Sequence, residues 1–171
     1  MSAPAAPGAP AGEKKHSPAA IILAVVAGCF GLFCVVSIVA TIAIPAFVRY
    51  VKRSKTAEAE MNVRALVVGA QLLCEDDLQP GYPTVPAGPL PARPSSMTQA
   101  PGFAADPTFA ALGFTPIDPV YYSHSVVPDG VGGLTLRANG DLDDDGVLST
   151  FESNCDASCA CSPIHVVNEL E

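Results

Sequence analysis

Residues 17–78 read SPAAIILAVVAGCFGLFCVVSIVATIAIPAFVRYVKRSKTAEAEMNVRALVVGAQLLCEDDL, and this stretch decides the fold. From Ser17 to Val48 no side chain carries a charge. A bilayer core takes about 20 apolar helical residues to cross. Ala19 to Val48 supplies more than that, mostly as Ile, Val, Leu, Phe and Ala. The run also exceeds the ~7–15 apolar residues of a signal peptide, so residues 19–48 are expected to be an uncleaved transmembrane anchor. The helical pattern then continues, with no proline after Pro45 and one glycine, Gly69. At the α-helical rise the whole element approaches about 85 Å. Pro45 removes one backbone bond and crowds the preceding turn, so a kink or local melting is expected there.

On the N-terminal side, residues 1–18 are rich in Ala, Pro and Gly and are expected to be disordered, having little to bury. Residues 49–79 are expected to be the extramembrane half of the long helix. There Phe47, Val51, Met61, Ala65, Val68 and Leu72 recur at helical steps, and Leu66 and Leu73 widen the stripe. This is the face expected to meet a sheet. Gln79-Pro80-Gly81 reads as the helix stop.

Residues 80–171 are expected to form a small β-rich head. The proline-rich part, Pro80 to Pro119, leaves room for a loop and one short turn at Pro107 to Leu112, without a helix or a central strand. Val120–Val127 and Leu134–Ala138 alternate around a Gly-rich turn and read as a hairpin, and Ile164–Val167 as a last strand. The fold class is therefore α+β, a long helix packed on a small antiparallel sheet.

Charge narrows the function. From Asn62 onward, fourteen acidic residues face three basic ones, Arg64, Arg93 and Arg137. A head this acidic repels phosphate backbones, which excludes nucleic acid as a partner. Arg49, Lys52, Arg53 and Lys55 follow the apolar run, against Lys14 and Lys15 before it. Taken alone, that bias places the head in the cytoplasm. Four cysteines in the head, Cys74, Cys155, Cys159 and Cys161, argue for an oxidising compartment and hence the opposite side. Cys29 and Cys34 lie in the apolar run and read as buried or lipid-facing thiols.

The run IAIPAFVRYVKRSKTAEAEMNVRAL, Ile42 to Leu66, resembles the N-terminal helix of type IV pilins and of the pseudopilins of type II secretion. The order of long helix, loop, antiparallel strands and cysteine-bearing C-terminus is similar to theirs, and ALGFTP…VYYSHS followed by ANGDLDDDG looks like a pilin-like head. The resemblance implies a structural subunit in the bacterial inner membrane. Its head would be periplasmic or extracellular, and its partners other pilin-like subunits met through the helix. It also marks a departure. Aligned on Pro45, the places of the prepilin peptidase signal hold Leu23-Ala24, and Gly28 stands where the family has glutamate. No trimming of the family kind is expected. The alternative from another class is a single-pass, calcium-binding envelope protein of pilin architecture that does not assemble.

The sharpest motif is Asp141-Leu-Asp-Asp-Asp-Gly-Val-Leu-Ser-Thr-Phe-Glu152. Asp141, Asp143, Asp145, Ser149 and Glu152 fall at positions 1, 3, 5, 9 and 12 of a calcium loop, with Val147 offering its carbonyl and Gly146 at the tight turn. Ca²⁺ is the expected cofactor, with Leu148 pointing inward as the anchor. The competing reading is an acidic turn, with Ser149 and Glu152 capping a short helix. Cys155, Cys159 and Cys161 with His165 lack the second knuckle of a zinc site. Four cysteines allow three disulfide pairings; the expected one joins Cys74 to Cys161 and Cys155 to Cys159. His124, Ser125 and Asp129 are read as strand and turn residues, because a triad requires converging geometry. Tyr121 and Tyr122 are read as one surface and one core residue, and nothing in the sequence points to an enzyme or to a small-molecule substrate.

Overall fold

A computed structural model describes residues 17–78 and 81–170. Most of the N-terminal segment expected to be disordered, and the Gln79-Pro80 stop, lie outside the described residues. The elements are α1 (Pro18–Cys74), β1 (Ala87–Leu90), a 3-10 turn (Phe103–Ala105), α2 (Pro107–Ala111), β2 (Ser123–Pro128), β3 (Leu134–Gly140), β4 (Ser149–Cys155) and β5 (His165–Val167). The chain divides into two compact units, Met1–Pro45 and Ala46–Glu171.

In the first unit α1 opens at Ser17-Pro18, where the Ser17 hydroxyl accepts from the backbone N–H of Ala20 at 3.3 Å. Proline suits the first helical position because its missing N–H would have no partner there. The large apolar side chains from Ile21 to Ile44 are exposed, with Cys34 and Ala40 partly covered. Ser37 donates to the Phe33 carbonyl at 2.8 Å and Thr41 to the Ser37 carbonyl at 2.7 Å. Both hydroxyls are thus satisfied within the helix, as a segment in hydrocarbon requires. Helix α1 is long and apolar enough to cross a membrane. Its helical assignment runs through Pro45, so the expected melting does not occur.

In the second unit the sheet is a five-stranded antiparallel meander, in the order β1-β2-β3-β4-β5. Leu134, Leu136, Ala138 and Gly140 of β3 alternate inward, as do Ser149, Phe151, Ser153 and Cys155 of β4. This face packs on α1. Leu66 and Ala70 meet Val126, Leu134, Leu136 and Cys155 in one cluster; Ala59 and Val63 meet Tyr122, Ala138 and Phe151 in another. Each large apolar side chain so buried contributes about 1.5–3 kcal/mol. Phe103, Phe109 and Phe114 close one end of the core with ring centroids 5.0–5.6 Å apart. Asp106 starts α2 by accepting from the N–H groups of Thr108 and Phe109, with Pro107 at the first turn.

Several expectations require correction. The core face of α1 is Thr56, Ala59, Val63, Leu66, Ala70 and Cys74, while Met61 and Leu72 are each 69% exposed and Val68 is 54% exposed. This half of α1 has two apolar faces, and the sheet takes the one whose small residues permit close approach. The same logic applies at Gly69, where an added Cβ would stand 2.0 Å from the Leu112 carbonyl oxygen. The helix ends at Cys74, five residues before the expected limit, where Glu75, Asp76 and Asp77 would crowd the negative end of its dipole. Asp76 turns the chain instead, accepting from the Leu78 N–H at 2.7 Å. Residues 149–155 form a strand that the sequence pattern does not announce. β1, with Pro89 in it, takes the edge position that a proline-bearing strand requires. The disulfides join Cys74 to Cys159 and Cys155 to Cys161, not the expected partners. The cause is the 156–160 turn: the Asp156 carboxylate accepts from Ser158 and Ala160, which folds Cys161 back as the bridge partner of Cys155.

Candidate metal centre

The β3–β4 connection is set by Gly140. A Cβ there would lie 2.3 Å from the Tyr122 ring and 2.6 Å from the Ser149 hydroxyl, so only glycine lets the ladder close at the Gly140–Ser149 pair. The chain then leaves as the loop 141–148. Leu142, 6% exposed, plugs the second core cluster and anchors the loop; Leu148, expected in that role, is 41% exposed.

Inside the loop the backbone is organised around its own carboxylates. Asp141 accepts from the N–H groups of Asp145 and Gly146 at 3.1 and 3.2 Å, and Asp145 from Val147 at 2.7 Å. Asp144 and Gly146 take left-handed backbone, with φ of 59° and 87°. The outcome is convergence of Asp141, Asp143 and Asp145, each with a carboxylate oxygen within 4.8 Å of the others. Such an all-oxygen donor set suits a hard divalent cation.

The loop is also tied to the base of the head. Lys52 of α1 donates to Asp143 at 2.7 Å, and this ammonium holds the Asp143 carboxyl below its ordinary range. Asp144 accepts from the Ser96 N–H and hydroxyl. Close by in the chain, Lys55 donates to the Ser96 carbonyl at 2.9 Å and lies 4.3 Å from the centre of the Tyr121 ring. Glu58 accepts from the Tyr121 N–H at 2.9 Å; burial raises its carboxyl, against that hydrogen bond.

Of the four expected carboxylate ligands, Glu152 is outside the cluster; the donor expected at Val147 is its carbonyl, and at Ser149 its hydroxyl or a water. Val147 is half exposed in the loop. Ser149 is fully buried, facing the Gly140–Tyr122 side of the sheet. Glu152 lies opposite Arg137 in the β3–β4 ladder and accepts from its guanidinium Nε at 2.7 Å and from its Nη2. In a helix–loop–helix site the twelfth residue returns toward the ion on a helix. Here a strand, at about 3.3 Å per residue, carries it away from the loop. Partial burial pushes the Glu152 carboxyl up, but hydrogen bonds from Arg137 and the Asn154 amide together outweigh it and hold the carboxyl low.

The other singled-out residues are structural. Asp129 organises the β2–β3 turn by accepting from Val131 and Gly133. Tyr122 is buried and burial pushes its hydroxyl up to about 12, against a counteracting contact from Ser149. His165 is exposed on β5. His124 is a strand residue as expected, in β2; what the sequence reading did not foresee is its full burial among Phe103 and Phe114, with ring centroids 5.7 and 5.2 Å away. Its phase with Tyr122 and Val126 was the available signal.

Comparison with protein-family models, with curated proteins and with solved structures finds no match to the chain. The architecture itself, a long apolar N-terminal helix followed by an antiparallel sheet, is loosely pilin-like. Its disulfides suit an oxidising compartment.

Proposed function

We propose that the chain is a non-enzymatic, pilin-like structural subunit. On this reading it is anchored in a bacterial inner membrane by α1, with the head on the periplasmic or extracellular side. The observation that carries the proposal is the second apolar face of α1. Met61, Val68 and Leu72 are exposed along the head half, and with Ala65, Leu112 and Gly113 they line an open groove. The sheet has already covered the opposite face, so this stripe is apolar surface without a partner inside the head. Continuous exposed apolar surface marks an interaction site. Helices of neighbouring copies are the fitting partner, because a heterologous contact that does not close builds a filament.

On the same reading Asp141, Asp143 and Asp145 hold calcium, and backbone carbonyls or water complete its coordination. The cation would relieve carboxylate repulsion and stiffen the base of the head. A second reading keeps the calcium but not the filament. It is favoured by Leu23-Ala24 and Gly28 at the places of the peptidase signal, and by an apolar run free of acid.

Shearing cells that produce the chain separates the two. Wild type should appear in the sheared filament fraction with disulfides intact, and the Met61→Asp/Leu72→Asp pair should remain with the membrane. Wild type confined to the membrane, with no cross-link to a second copy, would discard assembly in favour of the second reading.

A further inference from the structure

The four cations that follow the apolar run do not share one fate. Lys52 and Lys55 are half-buried on the row of α1 that continues into Thr56 and Ala59. One is bound to Asp143; the other is bound to the Ser96 carbonyl and stacked on Tyr121. Arg49 and Arg53 are exposed and lie one helical turn apart on a different row. Tyr50 is 72% exposed between them, and Phe47 and Val48 immediately before them are exposed too. The head beyond is strongly acidic. Two guanidinium groups left outward beside an aromatic ring, at the end of a lipid-compatible run, therefore have a job that the head does not supply.

We propose that Arg49 and Arg53, with Tyr50, form a collar that binds the phosphates of anionic phospholipids at the bilayer surface. The inference rests on the reading of α1 as a membrane span. The chemistry is specific to this pair. A planar guanidinium can hold two phosphate oxygens at once and is more weakly hydrated than an ammonium. A tyrosine places an apolar ring and a polar tip at the headgroup level. Lys52, turned into the head, offsets one charge of the aspartate loop through Asp143, which leaves the outward charge of the collar to Arg49 and Arg53. The collar also accounts for a basic cluster beside a head whose disulfides suit an oxidising compartment. The cations would serve as lipid ligands and head ties, leaving the charge bias without a topological meaning.

The test uses the full chain. Purified in neutral detergent, it is exposed to phosphatidylglycerol and phosphatidylcholine in equal amounts, and retained lipid is counted by native mass spectrometry. Wild type should prefer phosphatidylglycerol, and Arg49→Gln/Arg53→Gln should reduce that preference on the order of tenfold. Arg93→Gln, an exposed cation elsewhere on the head, should leave it unchanged. Equal preference in wild type and the double variant overturns the collar, as does displacement of the lipid by millimolar inorganic phosphate. Flotation with vesicles at alkaline pH tests the underlying reading separately. A chain that does not float removes the membrane span and the collar together, whereas one that floats without lipid preference removes only the collar.

Discussion

Lowering the pH should weaken the head, and one contribution can be isolated at His124. Its ring is fully buried against Phe103 and Phe114, and among the described residues neither nitrogen has a partner of good hydrogen-bond geometry. Burial lowers its pKa from 6.5 to about 4, only partly opposed by the nearby backbone of Tyr122 and Leu90. The unfolded chain therefore takes up this proton near pH 6.5 and the folded head only near pH 4. Between those values the unfolded state binds more protons, so stability falls as pH falls through the window and is unaffected by this residue above it. The shift corresponds to about 3 kcal/mol lost between pH 7 and pH 4, a large part of a small domain's stability. Glu58 acts in the opposite direction: its raised carboxyl gains a proton earlier in the fold than in the unfolded chain. The observable is thus the difference between wild type and His124→Leu, each unfolded in urea as the Ala46–Glu171 unit and followed by tyrosine fluorescence. The difference should be flat above pH 6.5 and should move by about 2–3 kcal/mol in favour of the variant by pH 4. A constant difference across the window, or a His124 resonance titrating near 6.5 in the folded head, would refute the reasoning.

Three further outcomes are expected. Millimolar calcium should raise the melting temperature of the chain, at about 0.4–1.5 kcal/mol for sites of extracellular affinity; Asp141→Ala and Asp145→Ala should abolish the shift in differential scanning, and Glu152→Ala should retain it. Removing the Cys74–Cys159 bridge, which spans 85 residues, should cost about 4–5 kcal/mol by urea denaturation, roughly twice the cost of removing Cys155–Cys161, which spans 6. Gly69→Ala should destabilise the head in the same assay despite a helix-propensity gain of about 1 kcal/mol, because the new methyl meets the backbone oxygen of Leu112; a stabilised variant would show that α2 can move aside.

The legible parts of the fold carry strong periodic signals. An uncharged run and the alternation around Pro128–Gly133 place the long helix and the β2–β3 hairpin, while the short turn expected at Pro107 to Leu112 is a five-residue helix, α2, which the proline density of the stretch argues against. β4 escapes because its inward residues are Ser149, Phe151, Ser153 and Cys155. Two of the four are hydroxyls, so the alternation is real in burial but faint in hydrophobicity. The core face of α1 is hard to read for a related reason. Met61, Val68 and Leu72 outweigh Ala59, Val63 and Ala70 in apolar size, but a sheet approaches a helix most closely over small residues.

The aspartate loop shows both effects in one place. Its first five residues are readable because carboxylates at alternating positions converge whenever the chain turns tightly, and Asp141, Asp143 and Asp145 do converge. The last ligand depends on the element after the turn. A helix would return Glu152 to the cation; the faint strand β4 carries it to Arg137. The twelve-residue match therefore describes spacing along the chain without the secondary structure that turns spacing into geometry. Without Glu152 the cluster that could hold a cation has three carboxylates, with Lys52 bonded to one of them. A cation there must compete with that ammonium, so affinity should be set by α1 as much as by the loop. A cation bound by the three aspartates would thus be coupled to the helix base through the Lys52–Asp143 contact, and Lys52→Met should strengthen any binding there.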